Sequence, residues 1–309
     1  MRCAGNDSVK KYRGLSGILL LDKPLGLSSN QALQKTRHLF EAVKAGHTGS
    51  LDPLATGLLP VCFGEATKIA GYLLGACKAY RAEVRLGITT TTDDAEGEVL
   101  LSAALPELSD AQIEAVLVPL RGCITQVPPA YSAIKQGGVA LYKRARRGED
   151  VQVPARKVEI HRLDLLDRAG DRLTLQVECG SGTYVRSLAR DLGAALGCGG
   201  HLTALRRTWV EPFRHPTMYT LEFLERTKAE GGTDALDRLL LPLETGLSAL
   251  PELLVDAEQT ARMKQGKLVQ QDVLHDVALC RASDADGRLV ALASVDATGA
   301  VRVLRGFNN

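Results

Sequence analysis

The stretch GHTGSLDPLATGLLPV, Gly46 to Val61, decides how this chain reads. It sets one carboxylate, Asp52, between a glycine-spaced loop and a proline, with His47 close by. A reactive side chain could be held rigidly there. The same residues also make a helix start, with Asp52 as N-cap and Pro53 at the first helical position. Spacing alone leaves both readings open.

Working outward, Gly17 to Leu21 is a short apolar strand that the turn residues Lys23 to Gly26 stop. Ser28 or Ser29 then caps a helix whose Ala32, Leu33, Leu39 and Phe40 share a face, with Lys35, Arg37 and His38 outside. Tyr80, Ala82, Val84 and Leu86 alternate with Arg81, Glu83 and Arg85, a strand buried on one face with Tyr80 turned inward. Ser109 and Gln112 form a capping box ahead of Ile113, Val116, Leu117 and Leu120. Leu173, Leu175 and Val177 alternate again, and the Gly180 to Gly182 turn delivers Tyr184 and Arg186 to a helix carrying Leu188, Leu192 and Leu196. Strands and helices do not alternate as βαβ units and no repeat appears, so the expected class is antiparallel α+β.

A boundary is expected near Leu250. Arg226 to Gly232 is mostly polar and ends in two glycines, Pro242 and Pro251 punctuate the chain, and Asp286-Gly287 and Thr298-Gly299 signal hairpins. Residues 1–250 are read as one catalytic domain and 251–309 as a small β-rich domain. That second unit, of about sixty residues, is long enough to fold independently.

With 309 residues, 45% of them apolar, the chain can fill a sizeable core. The net charge of +2 does not announce a nucleic-acid binder. Its distribution says more: from Lys135 to Arg162 there are eight basic residues against three acidic ones. Such a run is either a solvated face or the footprint of phosphate contacts. The seven cysteines are scattered, with no CxxC pair and no histidine at metal-ligand spacing, which speaks against a zinc site and a disulfide framework. Met1 to Ser16 lacks signal-peptide character and no apolar run approaches membrane-spanning length, so the expected location is the cytoplasm. The glycines around Gly46 and Gly49 could also cradle phosphate, but no Gly-Lys-Ser/Thr sequence follows, which argues against nucleotide hydrolysis.

GHTGSLDPLATGLLPV resembles the catalytic motif of the TruB family of tRNA pseudouridine synthases, HTGxLDPxATG, in which the aspartate is essential. Further segments match in the family's order: GILLLDKPLGLSSNQAL (Gly17 to Leu33), KAYRAEVRLG (Lys78 to Gly87), QVPPAYSAIKQGG (Gln126 to Gly138), CGSGTYVRSLARDLG (Cys179 to Gly193) and HLTALRR (His201 to Arg207). One departure lies in TTTTDDAEG (Thr89 to Gly97), where many relatives carry an aspartate at the position of Thr91.

The resemblance implies a pseudouridine synthase core with a mixed, mainly antiparallel sheet and flanking helices, followed by a PUA-like RNA-binding domain. It implies Asp52 as the catalytic residue and Arg186 as its partner. Tyr80 becomes the platform for the target base, Leu205 an apolar wall, and His47 the filler of the space the base vacates. Lys23 and Pro24 support the catalytic loop, and Asp94 matches the family's later acidic residue. The implied substrate is uridine-55 in the T stem-loop of tRNA, extruded from its stack. No cofactor and no metal are implied, because the isomerisation oxidises nothing. The segment from about 126 to 156 resembles the insertion with which stand-alone members clasp the T arm as monomers without a guide RNA. Arg144, Arg146 and Arg147 are its candidate phosphate contacts. An RNA-binding or tRNA-folding protein with secondary catalysis is the alternative.

Overall fold

The computed structural model describes residues 12–132, 134–145, 147–149, 151–272 and 276–308. Its largest feature is an eight-stranded sheet. The strands are β1 (Gly17–Lys23), β2 (Ala45–His47), β3 (Ala55–Phe63), β4 (Lys78–Leu86), β5 (Gly122–Gln126), β6 (Arg156–Ala169), β7 (Arg172–Cys179) and β8 (Gly200–Val210). They lie in the order β1-β3-β8-β4-β7-β6-β5, with β2 paired to β3. Within this sheet the β3–β8 pair is parallel and the rest are antiparallel, so the sheet is mixed and mainly antiparallel as expected.

The longer helices that flank the sheet are α1 (Ser29–Leu39), α2 (Asp110–Leu117), α3 (Val185–Ala195) and α4 (Leu221–Asp237). Ser28 is the N-cap of α1 and completes a capping box with Gln31; Ser109 and Gln112 do the same for α2. Each box satisfies amides at a helix end that otherwise lack intrahelical partners. Helix α3 starts differently. Its N-cap, Tyr184, makes no side-chain cap bond. Instead the buried Gln126 of β5 accepts from the Tyr184 amide at 2.9 Å and donates to its carbonyl at 3.1 Å. The main core lies between the sheet and α2 and α3, and it includes Tyr80, Val84, Leu175, Leu188 and Leu192.

The fold decides one reading left open and overturns another. Asp52 caps no helix: the chain turns at Pro53 and Leu54 and enters β3 at Ala55, whose amide donates to the Asp52 carbonyl at 3.0 Å. The register of β3 against β1 and β8 outcompetes a local helix start. The polar stretch Arg226 to Gly232, read as linker texture, lies inside α4, with a break at Gly232 (φ 65°). Helix α4 buries Leu221, Leu224 and Leu236, and that apolar contact outweighs the glycine pair.

Residues 252–306 hold a second, five-stranded sheet. It consists of β9 (Glu252–Leu254), β10 (Val269–Gln270), β11 (Val277–Ser283), β12 (Leu289–Val295) and β13 (Ala300–Gly306), in the order β9-β11-β12-β13-β10. The two hairpin signals hold: Gly287 and Gly299 take positive φ between paired strands. Leu289, Leu292 and Phe307 pack with Ile18 and Leu58 of the first sheet. Among the described residues no helix is long and apolar enough to cross a membrane.

Candidate active site

Asp52 sits where the loop from β2 turns into β3, and three contacts hold that loop. Ser29, the first residue of α1, accepts from the Leu51 amide at 2.6 Å and donates to its carbonyl at 3.0 Å. The Pro53 carbonyl accepts from the Gly26 amide at 2.8 Å, which ties the loop to the segment after β1. Arg207 of β8 donates to the Gly49 carbonyl at 3.2 Å from below. Two glycines of the motif are needed in this arrangement. Gly57 (φ +96°) lies where a Cβ would fall 2.2 Å from the Arg207 carbonyl, and Gly49 (φ +131°) takes a backbone conformation that side chains disfavour.

The Asp52 carboxylate faces Arg186, with Oδ2 at 3.0 Å from Nη2. Arg186 also reaches Asp94, Nη1 to Oδ2 at 3.3 Å, and donates to the carbonyls of Thr92 at 3.2 Å and Tyr131 at 3.0 Å. Only 6% of the Arg186 side chain is exposed, so its ion pair is not a surface one. Asp94 is 2% exposed and is held in turn by the Thr92 hydroxyl at 2.5 Å and the Glu96 amide at 3.0 Å. Asp94 therefore acts on the site through Arg186. Thr91, at the position of the departure, closes the same loop by accepting from the Glu98 amide at 3.1 Å.

Asp52 is the outer end of this chain, with 46% of its side chain open to the cavities beside it. Burial nevertheless pushes its pKa above the ordinary carboxylate range. Arg186 pulls it back down, Asp94 pushes it up and Lys23 pulls it down. A guanidinium partner thus offsets the cost of keeping the charge in a partly dry site.

Two cavities meet at the Asp52–Arg186 pair. One, of about 340 Å³, is lined by Tyr80, Leu205, Tyr184, Lys78 and Arg207 as well as by Asp52 and Arg186. That is the size of a small-molecule site. The other, of about 850 Å³, is lined by His47, Asp94, Tyr131 and the start of α1. The structure therefore brings Asp52, Arg186, Tyr80 and Leu205 to one cavity and sets His47 and Asp94 around the other. Tyr80 is 8% exposed, part of the core and part of the cavity wall at once. Burial pushes its hydroxyl pKa up, with Arg207 opposing. His47 is half-buried; its Nδ1 accepts from the Gly49 amide at 3.4 Å, and burial together with Arg207 lowers its pKa, which favours the neutral ring.

Two family models match this architecture. The model for the N-terminal domain of TruB family pseudouridylate synthases matches residues 37–185, and that for the tRNA pseudouridylate synthase B C-terminal domain matches residues 186–248. A tRNA pseudouridine synthase B of Xanthomonas campestris pv. campestris (strain 8004) is 55% identical over 297 residues, 96% of either chain. The chain belongs to the TruB family of pseudouridylate synthases. A tRNA pseudouridine synthase B of Stutzerimonas stutzeri (strain A1501) is 50% identical over 289 residues, 94% of either chain. Among solved structures, a chain of a Cbf5-Nop10-Gar1 complex is similar with a TM-score of 0.74 at 25% identity, over 97% of this chain and 86% of that one. A chain of an H/ACA RNP bound to a substrate RNA containing 2′-deoxyuridine shares the fold, with a TM-score of 0.72 at 24% identity over 95% and 85%.

Lys23, which the resemblance sets in support of the loop in this TruB-family chain, lies inside the protein. It is fully buried, and its ammonium donates to the carbonyls of Leu27 at 2.6 Å and Pro24 at 2.8 Å beneath the catalytic loop. Burial lowers its pKa to about 8, with Asp52 opposing. In the insertion, Arg144 is paired with Glu149 at 2.6 Å and donates to Gln136 at 2.8 Å, and the more exposed Arg147 reaches the same Glu149 at 3.9 Å. Arg146 lies outside the described residues. The sequence marks Ser29 only as a candidate helix cap and Gln126 only as the first residue of a matched segment. A serine pair at a helix start reads as two candidate caps, and only the fold shows that Ser28 takes the cap while Ser29 clamps Leu51.

Proposed function

We propose that this chain, a tRNA pseudouridine synthase by family, isomerises the uridine at position 55 in the T loop of tRNA to pseudouridine without a cofactor. The observation that carries this reading is the Asp52–Arg186–Asp94 chain, which ends in one open carboxylate beside a cavity walled by Tyr80 and Leu205. An aromatic ring and an apolar wall suit a base that has been flipped out of its stack.

The isomerisation breaks the bond between C1′ of the ribose and N1 of the ring, turns the ring and joins C1′ to C5. A single ionised carboxylate can serve it, as nucleophile toward the sugar or the ring or as a base on the sugar. Asp52 has that role, and Arg186 keeps it ionised and aimed. Tyr80 stacks on the base, and its phenolic oxygen, once its own proton has left to solvent, takes the C5 proton late in the reaction. His47, neutral and on the far side of Asp52, fills the space the base leaves in the loop.

Residues 126–156 are read as the segment that clasps the T arm directly, with no guide RNA, by phosphate contacts that include Arg144 and Arg147. Residues 251–309 are read as a PUA-like RNA-binding domain; their separate five-stranded sheet supports that reading. The enzyme acts as a monomer in the cytoplasm, where its tRNA substrate is made.

The test is incubation of the full chain with a T-arm RNA, followed by mapping of pseudouridine at single-nucleotide resolution. One pseudouridine at position 55, absent when that uridine is replaced by cytidine, is expected. Conversion at a different T-loop uridine would overturn the position. Tight binding without conversion would favour the RNA-folding alternative.

A further inference from the structure

Arg207 is the largest fully buried side chain among the described residues, 1% exposed, at the bottom of the Asp52 cavity. Its Nε donates to the Leu58 carbonyl at 2.7 Å and its Nη2 to the Gly49 carbonyl. Arg207 and Tyr80 line the same cavity, and the charge of Arg207 favours the ionised form of the Tyr80 hydroxyl. Arg207 stands directly opposite Tyr80 in the antiparallel register of β8 and β4, so the two side chains leave the same face of the sheet.

Among the described residues no carboxylate forms an ion pair with Arg207, and the group that most supports its charge is the Tyr80 hydroxyl. The other charges nearby are of its own sign: the charge of Arg207 disfavours protonation of His47, Lys23 and Lys78. Lys78, on the same strand as Tyr80, has a pKa lowered to about 8 by burial, and its ammonium is held by the carbonyls of Ala76 and Leu74. A buried cation without a counter-ion is expensive, and two carbonyls need only a neutral donor. What a cation does that a neutral donor cannot is stabilise negative charge that develops on a neighbouring oxygen.

We propose that Arg207 is a positioning residue for Tyr80: it fixes the phenolic oxygen at the cavity wall and supports its negative charge when that oxygen takes the C5 proton. The proposal rests on the reading of Tyr80 given above. After C1′ has joined C5, that carbon carries both the sugar and its original hydrogen. Tyr80, its own proton already released to solvent, receives the C5 proton and becomes a neutral phenol. The C5–H electron pair becomes the C5–C6 double bond, the pair of the C6–N1 double bond moves to N1, and N1 takes a proton from water. Burial works against the ionised phenol, and Arg207 is the first group that opposes it.

The experiment is single-turnover conversion of T-arm RNA carrying either hydrogen or deuterium at C5 of the target uridine, with Arg207→Gln, Arg207→Lys and Tyr80→Phe. Arg207→Gln is expected to slow conversion by about 100-fold, the lower end of a general-base contribution. Its rate should become sensitive to deuterium beyond the parent, because C5 deprotonation is then the slow step. Arg207→Lys keeps the charge without the fork. It should fold, recover part of the rate and show a smaller isotope effect; its behaviour decides the matter if Arg207→Gln does not fold. In a Tyr80→Phe background, Arg207→Gln should cost less than twofold more.

Slowing without an increased isotope effect in either Arg207 variant would overturn the proposal and return Arg207 to loop support. So would an undiminished cost in the Tyr80→Phe background. A Tyr80→Phe enzyme with the parent's rate and isotope effect would overturn the Tyr80 reading itself, a separate failure.

Discussion

Arg186 offers the sharpest test of the site, because one guanidinium spans two carboxylates. Lysine in its place keeps the charge but concentrates its donors on one nitrogen. It cannot keep both the 3.0 Å contact to Asp52 and the 3.3 Å contact to Asp94 while also serving the carbonyls of Thr92 and Tyr131. Losing one charge-assisted hydrogen bond in the transition state is worth about 1.5–3 kcal/mol. At 1.36 kcal/mol per decade, Arg186→Lys should slow single-turnover conversion of saturating T-arm RNA by roughly 10- to 150-fold. Arg186→Gln removes the charge as well. The Asp52 carboxyl, whose pKa burial already raises, then loses the partner that pulls it down, and Asp94 pushes it higher. A raised pKa means less carboxylate at a given pH, so the acid limb of the rate profile should move to higher pH in Arg186→Gln and stay nearer the parent in Arg186→Lys. The assay is tritium release from C5-labelled RNA across pH 5 to 9. A rate in Arg186→Lys within twofold of the parent would refute the spanning role. An unmoved acid limb in Arg186→Gln would refute the electrostatic one.

Asp52→Asn is nearly isosteric and should keep the fold and the affinity for T-arm RNA while losing several orders of magnitude in conversion; turnover near the parent rate would remove Asp52 from the chemistry. Tyr80→Phe should bind T-arm RNA about as well as the parent and be slower in chemistry, whereas Tyr80→Ala should lose more of both, since stacking is worth about 1–3 kcal/mol per base. Neutralising Arg144 and Arg147 together should lower the slope of log affinity against log salt by about 0.7–0.9 for each phosphate that is no longer neutralised, and leave saturated chemistry little changed. An unchanged slope would make the insertion a solvated face. Lys78 has a folded-state pKa of about 8, below the 10.5 of the exposed side chain. The unfolded chain therefore binds more protons between those values, and stability should rise with pH through that window. In Lys78→Met that rise should be shallower, as read by denaturant unfolding at pH 7.5 and pH 9.5; equal slopes would mean the ammonium is not as buried as the structure has it.

What the sequence determined by itself was local. The alternation along Lys78–Leu86, the Ser109–Gln112 capping box and the glycine turns at Gly287 and Gly299 are short-range devices, and each formed as its spacing predicts. The motif in Gly46–Val61, read through its family resemblance, named Asp52 and pointed to Arg186. Tertiary structure decided the rest, because it depends on which strands become neighbours. Asp52-Pro53 reads locally as a helix cap and becomes the turn into β3, since β3 gains three partners in the sheet, β1, β2 and β8. Arg207 reads only as the second residue of a basic doublet that ends a matched segment. It is buried because β8 lies between β3 and β4, while the adjacent Arg206 reaches outward to Asp22 at 2.8 Å. Successive residues of a strand point to opposite faces, and only the strand order says which face holds the site.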